Sequence, residues 1–278
     1  MNYLEKFATV YRETCIVTGG GGALGGTIAR ELGALGAKIV VLDRNGEQAE
    51  HVAASIRTEG GKALAIACDV LNPASIQQAL TETTDAFGAP TALINAAGGN
   101  NPAGSTDCEF FSWQEEGKTF LDLPIDGMRN TFDLNYFGTV IPTQIISRPM
   151  LEAGRGSIIN FSSISSLTPL TKVVSYSSAK AAVVNFTKWL AVHFAQSGVR
   201  VNALAPGFVM TEQLRFLHVD ENGNYTPRAK RVLEQTPMNR YARNDELVGA
   251  VVWLLSDAAS FVTGSLITID GGFSAYTI

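Results

Sequence analysis

Strand-like and helix-like segments alternate along almost the whole chain, and that rhythm restricts it to a parallel sheet with crossover helices on both faces. Residues 14–18 form a short β-branched run, an Ala/Leu-rich helical stretch follows as far as Gly36, and residues 38–43 make a continuous apolar run too short for a helix. A helix over 47–57 stops at Gly60 and Gly61, a third strand covers 63–68, and Asn72 with Pro73 caps and opens the next helix. Further strands are expected at 91–95, 157–161, 199–204 and 264–270, with a closing helix at 245–255. The expected fold class is α/β: one domain over 1–278, built on a doubly wound parallel sheet of about seven strands.

Three stretches break the rhythm. Residues 98–122 mix Gly, Asn, Pro, acidic and aromatic residues without a usable period and read as an inserted loop. A long helical region then runs to about residue 153, with Pro142 and Pro149 predicting a bend or interruption. Residues 207–243 are irregular again, and an excursion of that length is expected to form a lid over a pocket.

Composition narrows the class. A net charge of −5 with no Lys/Arg cluster argues against nucleic acid as a partner. The N-terminal residues lack a basic region followed by an apolar core, and no apolar run approaches the length of a membrane span, so no membrane is expected and the chain reads as cytoplasmic. Cys15, Cys68 and Cys108 are far apart and read as small buried hydrophobes. His51, His193 and His218 have no metal-ligand spacing around them, so no metal is expected.

The turn after the first strand is Gly19, Gly20, Gly21, Gly22, Ala23, Leu24, Gly25, Gly26, leading straight into a helix. Glycines there let the backbone approach a pyrophosphate, and the helix N-terminus offers amide donors and a partial positive charge. A glycine-rich stretch alone could be a flexible loop, and its place between a strand and a helix favours a Rossmann-type dinucleotide site. Asp43 ends the second strand eighteen residues beyond Gly25, where a carboxylate would bond an adenosine ribose and repel a 2′-phosphate. NAD is therefore favoured over NADP, with Arg44 next door as the complication. Asp69 after the third strand and Asn95, Ala96, Ala97 and Gly98 after the fourth fall at the same carboxyl edge of the sheet.

Tyr176 and Lys180 are four positions apart in a helical segment, so both side chains lie on one face. A phenol titrates near ~10 in water and makes a poor acid or base at neutral pH unless a neighbouring cation stabilises its phenolate. Lys180 stands where such a cation is needed. Taken alone, the pair is weak evidence, since Tyr and Lys at this spacing occur on many solvated helices.

With the glycine-rich turn, the Asn95 to Gly98 segment, Ser163, Tyr176, Lys180, Pro206 and Gly207 in this order, the sequence resembles the short-chain dehydrogenase/reductase family over almost its whole length. The resemblance implies that Tyr176 donates the proton to a carbonyl oxygen, Lys180 lowers its pKa and bonds the nicotinamide ribose, Ser163 holds the oxygen, and Asn135 anchors a proton-relaying water. It also implies that Asp69 and Val70 border the adenine and that Pro206, Gly207 and Thr211 border the nicotinamide. Gly22 and Ala23 depart from common family residues in the phosphate turn.

The loop from Thr211 to Arg240 and the ending from Asp270 to Tyr276 look like the D-mannonate oxidoreductase branch of that family, implying reduction of D-fructuronate with NADH. Arg215, Arg228, Lys230, Arg231 and Arg240, with Asn100 and Asn101, are the candidate partners of a uronate's carboxylate and hydroxyls. Another sugar acid, a polyol or a 3-oxoacyl thioester remains open, because fold and catalytic groups do not fix the substrate. A non-catalytic sensor would usually have lost the tyrosine or lysine, and a sugar-nucleotide epimerase would need a larger C-terminal domain. The resemblance further implies a homo-oligomer, dimer or tetramer, packed through the Tyr/Lys helix and the long helix before it, with His193 and Phe194 in that surface or in the core.

Overall fold

The computed structural model describes residues 2–114, 116–211, 214–215 and 218–277. Its centre is a sheet of seven parallel strands in the order β3-β2-β1-β4-β5-β6-β7. These are β1 (Thr14–Thr18), β2 (Lys38–Asp43), β3 (Lys62–Ala67), β4 (Ala92–Asn95), β5 (Gly156–Phe161), β6 (Val199–Pro206) and β7 (Leu266–Ile269). The order reverses between β1 and β4, and the carboxyl ends of the strands flanking that reversal form the crevice where such sheets hold ligands.

Side chains alternate between the two faces along each strand. Cys15, Val17, Ile39 and Val41 enter a layer shared with α2 (Ala23–Ala34), α3 (Gly46–Thr58) and α9 (Val248–Leu255). Ile16, Val40, Leu42 and Leu93 enter the opposite layer, against α4 (Pro73–Phe87), α6 (Gly138–Glu152) and α7 (Val174–His193). Burial on both faces explains why the strands read as unbroken apolar runs. The remaining helices are α1 (Tyr3–Ala8), α5 (Ile125–Phe132) and α8 (Pro227–Glu234). No helix of the described residues is long and apolar enough to cross a membrane.

Several expectations need correction. The long helical region breaks at neither proline: a π turn over Asp133–Phe137 separates α5 from α6, and the helix runs on through Pro142 and Pro149. A proline at 142 crowds the carbonyl of Gly138, so the irregularity settles at the junction just before it. The lid is not wholly irregular either, since α8 lies within it, opened by Thr226 whose hydroxyl accepts from Ala229 N–H. Its charged residues hid a two-residue apolar face, Ala229 and Val232. Residues 212, 213, 216 and 217 of the lid lie outside the described residues. Cys15 and Cys68 are buried as expected, whereas Cys108 is only partly so, its Sγ 3.8 Å from the Lys118 carbonyl. His193 is exposed and stacks on Trp189 with ring centroids 4.9 Å apart, while Phe194 packs against the second core layer.

Candidate active site

A groove of 1110 Å³ runs along the carboxyl edge of the sheet, lined by Gly19, Gly22, Ala23, Leu24, Asp43, Asp69, Val70, Ala97, Gly98 and Thr211 among others. The glycine-rich turn forms its floor. A Cβ at Gly25 would fall 2.3 Å from the Gly19 carbonyl oxygen, and one at Gly19, whose φ is +62°, would meet Ala97 at 2.8 Å. These two positions therefore require glycine. Gly22 is freer, with only the Gly19 oxygen at 3.2 Å, which explains why the departures noted there leave the turn intact. Gly22 caps α2 without any side-chain hydrogen bond, so the first amides of the helix open onto the groove, as an anionic phosphate requires.

Asp43 stands on the groove wall with both oxygens engaged. Oδ2 accepts from Gly21 N–H at 3.1 Å and Oδ1 from Asn45 N–H at 2.9 Å. Arg44 also lines the groove, exposed to solvent. Asp69 accepts from Leu71 N–H at 2.9 Å, which fixes the turn that presents it.

Five residues expected at the cofactor do not line this groove: Tyr176 and Lys180, described below, and Asn95, Pro206 and Gly207. Asn95 is buried beneath it, its amide nitrogen donating to Thr143 Oγ1 and Asn160 Oδ1, both at 2.8 Å. Pro206 is the last residue of β6, and Gly207 donates its N–H to the Ile269 carbonyl at 2.9 Å and packs against Asp270. Asn95, Pro206 and Gly207 support the edge from behind. The Asn95 link is part of a longer buried chain: Asn160 Nδ2 donates to Thr187 Oγ1 at 2.9 Å, and Thr143 Oγ1 to the Thr139 carbonyl at 2.7 Å.

At Gly98 the groove meets two of the four expected catalytic residues, Asn135 and Lys180. A Cβ on Gly98 would lie 2.6 Å from Asn135 Oδ1 and 3.2 Å from Lys180 Nζ, so the absence of a side chain is what lets the groove meet them. Asn135 sits in the π turn, fully buried, with Nδ2 donating to the Gly99 and Thr131 carbonyls at 2.8 Å and Oδ1 accepting from Gly99 N–H at 3.1 Å. The extra residue of the π turn gives its side chain that bearing on the groove's end.

Tyr176 and Lys180 share one face of α7, with the lysine Nζ 5.7 Å from the phenol ring centroid. Lys180 is buried and donates to the Phe161 carbonyl at 2.8 Å; burial lowers its pKa from 10.5 to about 8. Burial also raises the Tyr176 phenol above its ordinary value, and the hydroxyl of Ser163 works against that rise. The Ser163 hydroxyl therefore favours the phenolate, a part the sequence reading gave to Lys180 alone. Ser162, the neighbour easily confused with Ser163, has its hydroxyl on the Lys180 backbone carbonyl at 2.9 Å.

The candidate cations of the lid divide clearly. Arg240 makes two bonds of 2.7 Å to Glu246, and Arg231 two bonds of 2.9 and 2.7 Å to Glu109 in the insertion, which Arg228 also approaches at 3.4 Å. Arg215 and Lys230 are exposed. Asn100 bonds Ser105, and Asn101 caps a turn at Ala103, so both serve the insertion itself. Sequence reasoning missed Glu109, whose partners lie more than a hundred residues away and leave no local signal.

A family model described as Enoyl-(Acyl carrier protein) reductase matches residues 21–274. An oxidoreductase of Haemophilus influenzae described as uncharacterized is 44% identical over 265 residues, 94% of this chain and 93% of that protein. The chain belongs to the short-chain dehydrogenase/reductase family. A second relative, the uncharacterized oxidoreductase UxuB of Bacillus subtilis, is 41% identical over 266 residues, 95% of this chain and 96% of that one. A crystal structure from Haemophilus influenzae, provisionally assigned as a D-mannonate oxidoreductase and holding NAD, superposes with a TM-score of 0.92 at 42% identity, covering 96% of this chain and 99% of that one. As a short-chain dehydrogenase/reductase the protein is an oxidoreductase, and its glycine turn, uncapped helix end and wall carboxylate fit a dinucleotide.

Proposed function

We propose that this chain transfers hydride between NAD(H) and the carbonyl or secondary alcohol of a sugar acid, most specifically between D-fructuronate and D-mannonate. The observation that carries the reading is the meeting of the groove at Gly98 with Asn135 and Lys180, with the Tyr176 ring beside Lys180 and the Ser163 hydroxyl beside the phenol. Its sugar-acid part is supported by likeness to the NAD-holding structure assigned as a D-mannonate oxidoreductase. NAD, bound along the groove, supplies or accepts the hydride.

The chain's own residues do the rest. Tyr176, a phenol protonated at neutral pH whose pKa burial raises further, gives its proton to the substrate oxygen during reduction. Ser163 orients that oxygen by hydrogen bonding beside the phenol. Lys180, charged in most molecules at pH 7, stabilises the phenolate left behind. Asn135 fixes Gly99 and so keeps the groove's end open to both. Assembly as a homo-oligomer through α7 belongs to the same reading, and the exposed Trp189 and Val192 on that helix support it.

Oxidation of NADH measured against D-fructuronate, D-tagaturonate, 5-ketogluconate and an acetoacetyl thioester tests the substrate class. Fructuronate should give the highest kcat/KM, and a preference for the thioester would refute the sugar-acid reading. Asp43→Ala tests the cofactor. The wild type should favour NADH over NADPH, and the variant should narrow that preference by on the order of tenfold as the repulsion of a 2′-phosphate is removed. A wild type that already prefers NADPH would overturn the assignment of Asp43.

A further inference from the structure

The insertion over 98–122 is a strap tying the catalytic helix to the lid. Gly99 is bonded to Asn135; the Gly104 carbonyl accepts from Ser175 Oγ at 3.3 Å; Thr106 N–H donates to the Lys172 carbonyl at 2.9 Å; and Glu109 takes Arg231 and Arg228 of α8. Three cations thereby gather about one carboxylate, since Glu109 feels Arg231, Arg228 and Lys172 together. The cluster stands between the lid and the start of α7, and it carries an excess of positive charge.

The three cations are not equally committed. Arg231 occupies both oxygens of Glu109. Arg228 has one long contact of 3.4 Å, to an oxygen Arg231 already holds, and it lies within electrostatic reach of the lid residues His218 and Tyr241. Lys172 has no hydrogen bond or ion pair from its ammonium among the described residues.

Lys172 is also strained. Its φ of 74° lies in the left-handed region, and among the described residues the other non-glycine residue with positive φ is Asn239, a type that tolerates it. Lysine has no such local compensation, and strain of this kind collects at ligand sites. Four residues further on is Tyr176.

We propose that Lys172, with Arg228 beside it, holds the carboxylate of the substrate while Tyr176 faces the carbonyl toward the other end of the same short carbon chain. The inference rests on the sugar-acid reading above and assigns that reading its specificity residues. A carboxylate entering the cluster balances the charge Glu109 leaves uncompensated, whereas a neutral sugar would leave it unbalanced.

The test compares kcat/KM for D-fructuronate and for the neutral ketose that carries CH2OH in place of the carboxylate, in wild type, Lys172→Gly, Lys172→Arg and Arg228→Gln. The acid-to-neutral ratio should fall on the order of 10- to 100-fold in Lys172→Gly and in Arg228→Gln, and stay near the wild-type value in Lys172→Arg. Glycine adopts the left-handed conformation freely, so Lys172→Gly should fold, bind NADH as the wild type does and melt a degree or more higher, about 1–3 °C. A purely structural residue would lower both substrates alike and leave the ratio unchanged, and that result would overturn the proposal. If the wild type itself does not distinguish acid from neutral ketose, the sugar-acid reading falls and takes this one with it. If it does distinguish them and the variants distinguish them equally well, this proposal alone falls.

Discussion

Tyr176→Phe is expected to lower kcat by 10²- to 10⁴-fold while the dissociation constant for NADH changes by less than about twofold. The phenyl ring keeps the packing of Tyr176 on its face of α7 and removes only the hydroxyl that meets Ser163. Steady-state turnover and NADH fluorescence titration separate the two quantities. Turnover above a tenth of wild type would sink the proton-donor assignment. The direction of the phenol's pKa adds a pH signature. Because burial raises it, reduction, which needs the protonated form, should persist through neutral pH and decline only as pH climbs through the raised value. Oxidation should rise over the same interval.

Lys180→Met should cost on the order of 10²-fold or more in kcat, for it removes the charge that compensates the phenolate. It should also change stability in a way a surface lysine would not. The folded-state pKa of about 8 lies below the usual 10.5, so between those values the unfolded chain binds more protons than the folded one. Stability from this group therefore rises with pH across that interval, and below pH 8 the buried ammonium is a constant burden of about 3 kcal/mol. The variant should be more stable than wild type at pH 7, with the difference shrinking toward pH 10.5. Denaturant melts of both proteins across that range measure it. A difference that does not vary with pH would show that Lys180 keeps its ordinary titration.

Most of the architecture was legible because the five inner strands are buried on both faces and each glycine or asparagine boundary has a local cause. Asn45 and Asn72 cap α3 and α4 through their own side chains, and a reader of the sequence can find such residues. The catalytic spacing was legible for the same reason, since Tyr176 and Lys180 are placed by a single helix. What escaped depends on contacts distant in sequence or on backbone geometry. The π turn at Asp133–Phe137 lies one turn before the proline whose ring crowds the Gly138 carbonyl, so Pro142 announced an irregularity but not its position. Asn95 was assigned to the cofactor by its position at the sheet edge, but the side chain of a strand residue can enter either face, and this one turns down toward Thr143 and Asn160. The pairing of Glu109 with Arg231 spans two irregular segments that carry no period by which to align them.

The buried run of side chains from Thr143 through Asn95 and Asn160 to Thr187 couples the freedom of those positions to vary. Each member satisfies the next where no solvent can substitute, so replacing one by an apolar residue strands its neighbour's polar atom. Drift at any single position is penalised although none of the four need touch a ligand. A redesign of this scaffold for another reaction can alter the strap and lid piecemeal, but must retain these interior amides and hydroxyls or exchange the whole set at once.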